Sequence, residues 1–123
     1  MAGEPQLRLR IMFGSGLVLG PGKADLLDGI ATTGSISAAG RAMSMSYKKA
    51  WRLVDDLNHG FVGPLVEATA GGADGGGAGL TDLGKEVLAL YRQAEREAAA
   101  SASGRVAELG RLTLSRKKPG AAD

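Results

Sequence analysis

The sequence of 123 residues predicts an α+β fold that is mostly α, a winged helix-turn-helix with a long C-terminal dimerisation helix. Three observations predict it. Apolar residues recur at helical spacing in successive segments that follow one short alternating stretch. A glycine-rich tract, residues 71–79, separates two short β-prone stretches. The interval Gly34–Arg52 holds Arg41, Lys48, Lys49 and Arg52 and no acid.

Each element follows from its own residues. Residues 1–6 carry no pattern, and Leu7-Arg8-Leu9-Arg10-Ile11 alternates with the period of a half-buried strand. Gly14-Ser15-Gly16 and Pro21-Gly22 interrupt the chain before a first helix over Lys23–Thr32. There Ala24, Leu27, Ile30 and Ala31 line one face, Leu26 widens it, and Gly34 ends the helix. Ser35 or Ser37 caps a short second helix ending near Met43, with Ile36, Ala39 and Met43 inward and Ala38 allowing a close backbone approach. Ser44 or Ser46 caps a third helix over Tyr47–Asn58, whose apolar face is Tyr47, Ala50, Trp51, Val54 and Leu57. The second helix, a tight turn and the third helix have the size of a helix-turn-helix.

Pro64–Thr69 reads as a strand, the glycine tract as a long hairpin tip, and Leu80-Thr81 as the returning strand. Thr81 also caps a last helix from Asp82 to about Ala102, with Leu83, Val87, Leu88, Leu90 and Tyr91 on its apolar side. The domain is therefore expected over residues 1–103, and residues 104–123 as a mobile basic tail. That tail has a net charge of +3 against −1 for the rest, within a total of +2.

Composition excludes several function classes. A chain of this length suits one domain, and 44% apolar residues suffice for its core although only 4% are aromatic. The absence of cysteine removes disulfides, zinc-finger cysteines and thiol catalysis. One histidine, His59, leaves no histidine-rich metal site, and beside Gly60 it fits a helix end whose dipole favours a cation. No apolar run reaches the roughly 18 residues of a membrane span, and no secretory signal pattern opens the chain. A cytoplasmic protein is expected.

The glycines do not form a phosphate loop. Gly22-Lys23 is followed by Ala24 rather than a hydroxyl, and a dinucleotide fingerprint begun at Gly14 fails at Leu19. Asp55 and Asp56 are adjacent, so they do not share a helix face as an acid/base pair would. No enzymatic activity, cofactor or metal is expected. The third helix is different, because the second helix of a helix-turn-helix enters the DNA major groove with its first turns. Lys48, Lys49 and Arg52 stand in those turns, and the two aspartates follow later. Solvated surface charge is the plain alternative. Trp51 and Tyr47 share the apolar face and are expected as core anchors.

Gly34-Ser35-Ile36-Ser37-Ala38-Ala39, Ser46-Tyr47-Lys48-Lys49-Ala50-Trp51, Leu65-Val66-Glu67 with its glycine tract, and Leu80-Thr81-Asp82-Leu83-Gly84 together carry a resemblance. Over about residues 7 to 100 the sequence resembles the N-terminal domain of molybdate-responsive regulators of the ModE type, and more distantly the DNA-binding domain of LysR-type regulators. The resemblance implies a bacterial winged-helix domain that binds duplex DNA and dimerises through helices flanking the wing. It puts Ser46, Tyr47, Lys48, Lys49 and Arg52 on the recognition helix and residues 69–79 on the wing. In that family separate C-terminal domains bind the oxyanion, whereas only residues 104–123 follow the last expected helix here. Molybdate sensing is therefore not carried over: either the protein regulates without a built-in sensor, or a separate partner supplies one.

The resulting expectation is a homodimeric, sequence-specific regulator of transcription. Its DNA-binding residues are Arg41, Ser46, Tyr47, Lys48, Lys49, Arg52, Thr69, Gly71, Gly72, Gly75 and Gly76. Its dimer surface is Leu83, Val87, Leu90 and Tyr91 with the Leu7–Ile11 strand. Two other readings use the same features. A protein-interaction module would turn the basic face to an acidic partner, and a small oxyanion sensor would use the backbone amides of the glycine tract.

Overall fold

Two short hairpins and four helices make up the computed structural model, which describes residues 4–70 and 77–114. β1 (Ile11–Met12) pairs antiparallel with β2 (Val18–Leu19), Ile11 opposite Leu19. Phe13 donates its N–H to the Leu17 carbonyl across the turn, and Gly16 sits at φ +99°, where side chains are strained. The strand expected at Leu7–Ile11 is thus displaced to its last residue and joined by a partner absent from the sequence reading. Strands this short contain no repeat of a two-residue period.

α1 (Pro21–Thr33) starts earlier than expected, because proline suits the first helical turn, whose N–H groups have no intrahelical acceptor. It buries Ala24, Leu26, Leu27 and Ile30, while Ala31, expected on that face, is exposed. Gly34 at φ +74° ends it, its N–H on the Ile30 carbonyl. α2 (Ile36–Ala42) and α3 (Tyr47–Gly60) are capped by Ser35 and Ser46, whose Oγ atoms accept from the Ala38 and Lys49 amides at 3.0 Å. Ala39 and Gly40, rather than Ala38, make the close approaches. A Cβ on Gly29 would lie 2.9 Å from that of Ala39, and one on Gly40 2.9 Å from that of Ala50. These small-residue contacts draw α1, α2 and α3 together around Leu26, Leu27, Ile30 and Leu57.

The turn between α2 and α3 places Ser44 at φ +55°, with the Ser44 N–H on the Arg41 carbonyl and the Met45 N–H on that of Gly40. Glycine normally occupies this left-handed position after a helix. Ser44→Gly is expected to stabilise the fold by about 0.5–1 kcal/mol, raising Tm by roughly 4 °C in thermal unfolding. An unchanged Tm would mean that the serine side chain offsets its own strain.

β3 (Val66–Thr69) pairs antiparallel with β4 (Gly77–Leu80), in register from Val66 opposite Leu80 to Thr69 opposite Gly77. Thr81 caps α4 (Asp82–Arg111) through its Oγ1, which accepts from the Gly84 amide and donates to the Pro64 carbonyl. α4 crosses back over α1. Arg92 bonds Asp25 at 2.7 Å together with Asp28 and Glu95, and the Tyr91 hydroxyl donates to the Leu9 carbonyl at 2.6 Å. The bond to Asp25 holds the guanidinium charged. Burial, reinforced by Glu95, pushes the Tyr91 phenol above its ordinary pKa.

The boundary expected at 103/104 falls inside α4, which continues through Gly104 to Arg111. One exposed glycine costs about 1 kcal/mol, too little to end a helix rich in alanine, glutamate and arginine. An Arg105–Glu108 pair at 2.7 Å and the Pro5 ring against Gly110 support the added turns. The basic residues Arg116, Lys117 and Lys118 of the expected tail lie outside the described residues.

Candidate nucleic-acid interface

Helical geometry divides α3 into distinct faces, because successive side chains are rotated by about 100°. Ala50, Val54 and Leu57 are buried against α1 and α2. Lys48 and Arg52 stand on the opposite face, exposed, with Lys49 on one flank. Asp55 and Asp56 follow in a later turn, and His59 closes the helix with Nδ1 2.8 Å from the Asp55 carbonyl oxygen and 3.2 Å from its Oδ1. Arg41 is exposed in the last turn of α2. The first two turns of α3 thus present positive charge without an acid, as the sequence pattern requires.

Tyr47 and Trp51 are not core anchors. They occupy the other flank, 64% and 45% exposed, with ring centroids 6.0 Å apart. The close contact of Gly40 with Ala50 brings α2 against α3, so the core stripe is filled by small and aliphatic side chains. An indole at the stripe's edge is left outside. Ser46 has its oxygen engaged as the α3 cap, so its proton remains for an acceptor, beside the Tyr47 and Lys48 amides that have no intrahelical partner.

The β3–β4 hairpin stands beside this aromatic flank. Asn58, on the same side of α3, holds it there. Its Oδ1 accepts from the Leu65 and Val66 amides at 2.9 Å, and its Nδ2 donates to the Val66 carbonyl at 3.1 Å. The Ala78 amide bonds the Gly34 carbonyl at 2.9 Å, fixing the second strand to the α1–α2 junction. Sequence reasoning missed Asn58, and its only signal was an amide side chain on the flank of an amphipathic helix. Asn58→Leu leaves two backbone N–H groups unpaired, and we expect it to cost roughly 2 kcal/mol in chemical denaturation. A change below about 0.5 kcal/mol would mean that water replaces the amide. Thr69 is exposed at the end of β3, and Gly71, Gly72, Gly75 and Gly76 lie outside the described residues.

The four residues expected at a dimer surface separate. Val87 and Tyr91 are buried within the protomer, packed against the core that α4 covers, and offer no surface. Leu83 is half-buried near Gly63. Leu90 is 63% exposed, and Leu109, Leu112 and Leu114 extend the apolar exposure at the C-terminal end of the described chain. Among the described residues no helix is long and apolar enough to cross a membrane. No cluster of three or more His, Cys, Asp or Glu side chains among them forms a metal-ligand set.

No family model matches the chain. Curated relatives do. A molybdenum transport protein ModE of Azotobacter vinelandii is 42% identical over 82 residues, 67% of this chain and 30% of that protein. The molybdenum-pterin-binding protein MopB of Rhodobacter capsulatus is 44% identical over 77 residues, 63% of this chain and 28% of its own length. The DNA-binding transcriptional dual regulator ModE of Escherichia coli K12 is 35% identical over 88 residues, 72% of this chain and 34% of that protein. The chain therefore spans about a third of the length of the curated relatives it matches. About two thirds of this α+β chain is similar to a region of proteins named ModE and MopB, among them a transcriptional regulator and a molybdenum-pterin-binding protein.

Proposed function

We infer that this chain is a winged helix-turn-helix protein that binds duplex DNA sequence-specifically as a homodimer and regulates transcription. The observation that carries this reading is α3 itself. Its first two turns hold Lys48, Lys49 and Arg52 exposed on a rigid, capped helix, next to a hairpin pinned by Asn58. A helix with this charge distribution fits the major groove, where its first turns meet base edges and phosphates. Arg41 flanks the backbone, and the β3–β4 hairpin follows the adjacent groove. Leu90 and Leu109 of α4, with Leu112 and Leu114 just after it, supply apolar surface for a second copy. α4 is long enough, at about 45 Å, to separate two recognition helices by one turn of DNA, about 34 Å. The relative named as a DNA-binding regulator supports the same reading.

The test is selection of bound fragments from randomised duplex DNA at about 150 mM salt, where charge alone gives weak, unselective binding. Enrichment of an inverted repeat is expected. Recovery of unenriched sequence would overturn the reading and favour a protein-docking role for the basic face.

A further inference from the structure

The aromatic flank of α3 lies outside the buried core. Tyr47 and Trp51 pack on each other rather than into the core, and they face a cleft of about 450 Å³ between α3 and the β3–β4 hairpin. Ser35 and Ser37 from the start of α2, Asn58 and Glu67 line the rest of its polar surface. We propose that Tyr47 and Trp51 form an apolar shelf that takes a thymine C5-methyl group of the bound duplex. The proposal rests on the DNA-binding reading and assigns part of its base specificity.

Two properties of the cleft select this ligand. The first is position. With Lys48 and Arg52 turned to the floor of the major groove, the Tyr47–Trp51 flank is rotated about 100° away, against the edge of the bases on the hairpin side. The second is charge. Among the described residues Glu67 is the only charged side chain lining the cleft, and a carboxylate there repels a phosphate. A phosphate is therefore disfavoured there, and with the Ser35 and Asn58 oxygens already engaged by backbone amides the aromatic faces favour an apolar group. Of the groups that base pairs present in the major groove, only the thymine methyl is apolar. The basic side chains one position further round supply the attraction that brings the duplex to this surface.

The experiment uses the full chain and its selected duplex, with each thymine of a half-site replaced singly by deoxyuridine. At one or two positions the loss of the methyl is expected to weaken wild-type binding about 4-fold. Trp51→Ala is expected to weaken binding of the thymine duplex about 10-fold and to show no further loss on the deoxyuridine duplex. Tyr47→Ala, at the more exposed ring, repeats the cycle with a smaller change, and circular dichroism and Tm establish that both variants fold. Deoxyuridine effects that multiply with those of the variants would overturn the proposal, as would a selected half-site without thymine. A Trp51→Ala loss equal on all sequences would also overturn it, assigning the shelf to sugar contact. Wild-type protein that binds no duplex would remove the DNA-binding reading itself, before any variant is compared.

Discussion

Gly84→Ala is expected to destabilise the protein by about 3 kcal/mol or more, because an added Cβ meets a closer contact there than at any other glycine among the described residues. Gly84 sits in the first turn of α4, where a Cβ would lie 2.1 Å from the Leu65 carbonyl oxygen and 3.0 Å from its carbon. Neither partner is able to turn away. The Leu65 carbonyl accepts the Thr81 amide at 2.9 Å, its side chain is fully buried, and the Gly84 amide is held by the Thr81 cap. Relief therefore requires moving α4 away from the segment that leads into β3. The intrinsic helix preference for alanine works in the opposite sense by about 1 kcal/mol, and it decides the matter only where space exists. Gly104→Ala is the matched control, because nothing lies within 4 Å of its added Cβ. Chemical denaturation is expected to show Gly104→Ala stabilising by about 1 kcal/mol and Gly84→Ala strongly destabilising. Stabilisation by both would show that α4 does not press on Leu65.

Lys49→Ala and Arg52→Ala are each expected to lower affinity for the selected duplex by about 1–3 kcal/mol, roughly 5- to 150-fold. Both side chains are exposed, and the α3 cap uses the backbone amide of Lys49, which alanine retains. Folding is therefore unaffected, and the loss is one of binding. The two differ in kind. Arg52 lies on the outermost face, so its removal relaxes sequence preference at one base pair. Lys49 lies on the flank, so its removal weakens all sequences alike and reduces the salt slope by about 1. Fluorescence anisotropy against specific and scrambled duplexes over a range of salt separates these outcomes. Unchanged affinity in both variants would remove α3 from the interface.

The caps show where sequence reasoning is strong. A serine or threonine before an apolar-periodic run acts over three residues, so Ser35, Ser46 and Thr81 were legible as helix starts, although Ser35 and Ser46 each competed with a neighbouring serine. The acid-free basic stretch was equally legible, because charge on an exposed helix does not depend on distant residues. Tyr47 and Trp51 show where it fails. The helical period puts them on the edge of the apolar stripe, and only the depth of the α2–α3 contact determines whether that edge is covered. The end of α4 failed for a related reason: Gly104 is a local stop signal, overridden by helix-forming neighbours and by the packing of Pro5 on Gly110.

What the sequence determined by itself were the succession of four helices, three helix caps, the basic first turns of α3 and the glycine-interrupted hairpin before α4. These arise from interactions within a few residues or from charge that remains in water. The tertiary structure alone decided which apolar residues are covered, how Asn58 ties the hairpin to α3, why Gly84 must lack a side chain, and which part of α4 remains exposed. Those outcomes depend on how closely segments distant in sequence approach, and a difference of one methyl group in that approach moves a side chain from the core to the surface.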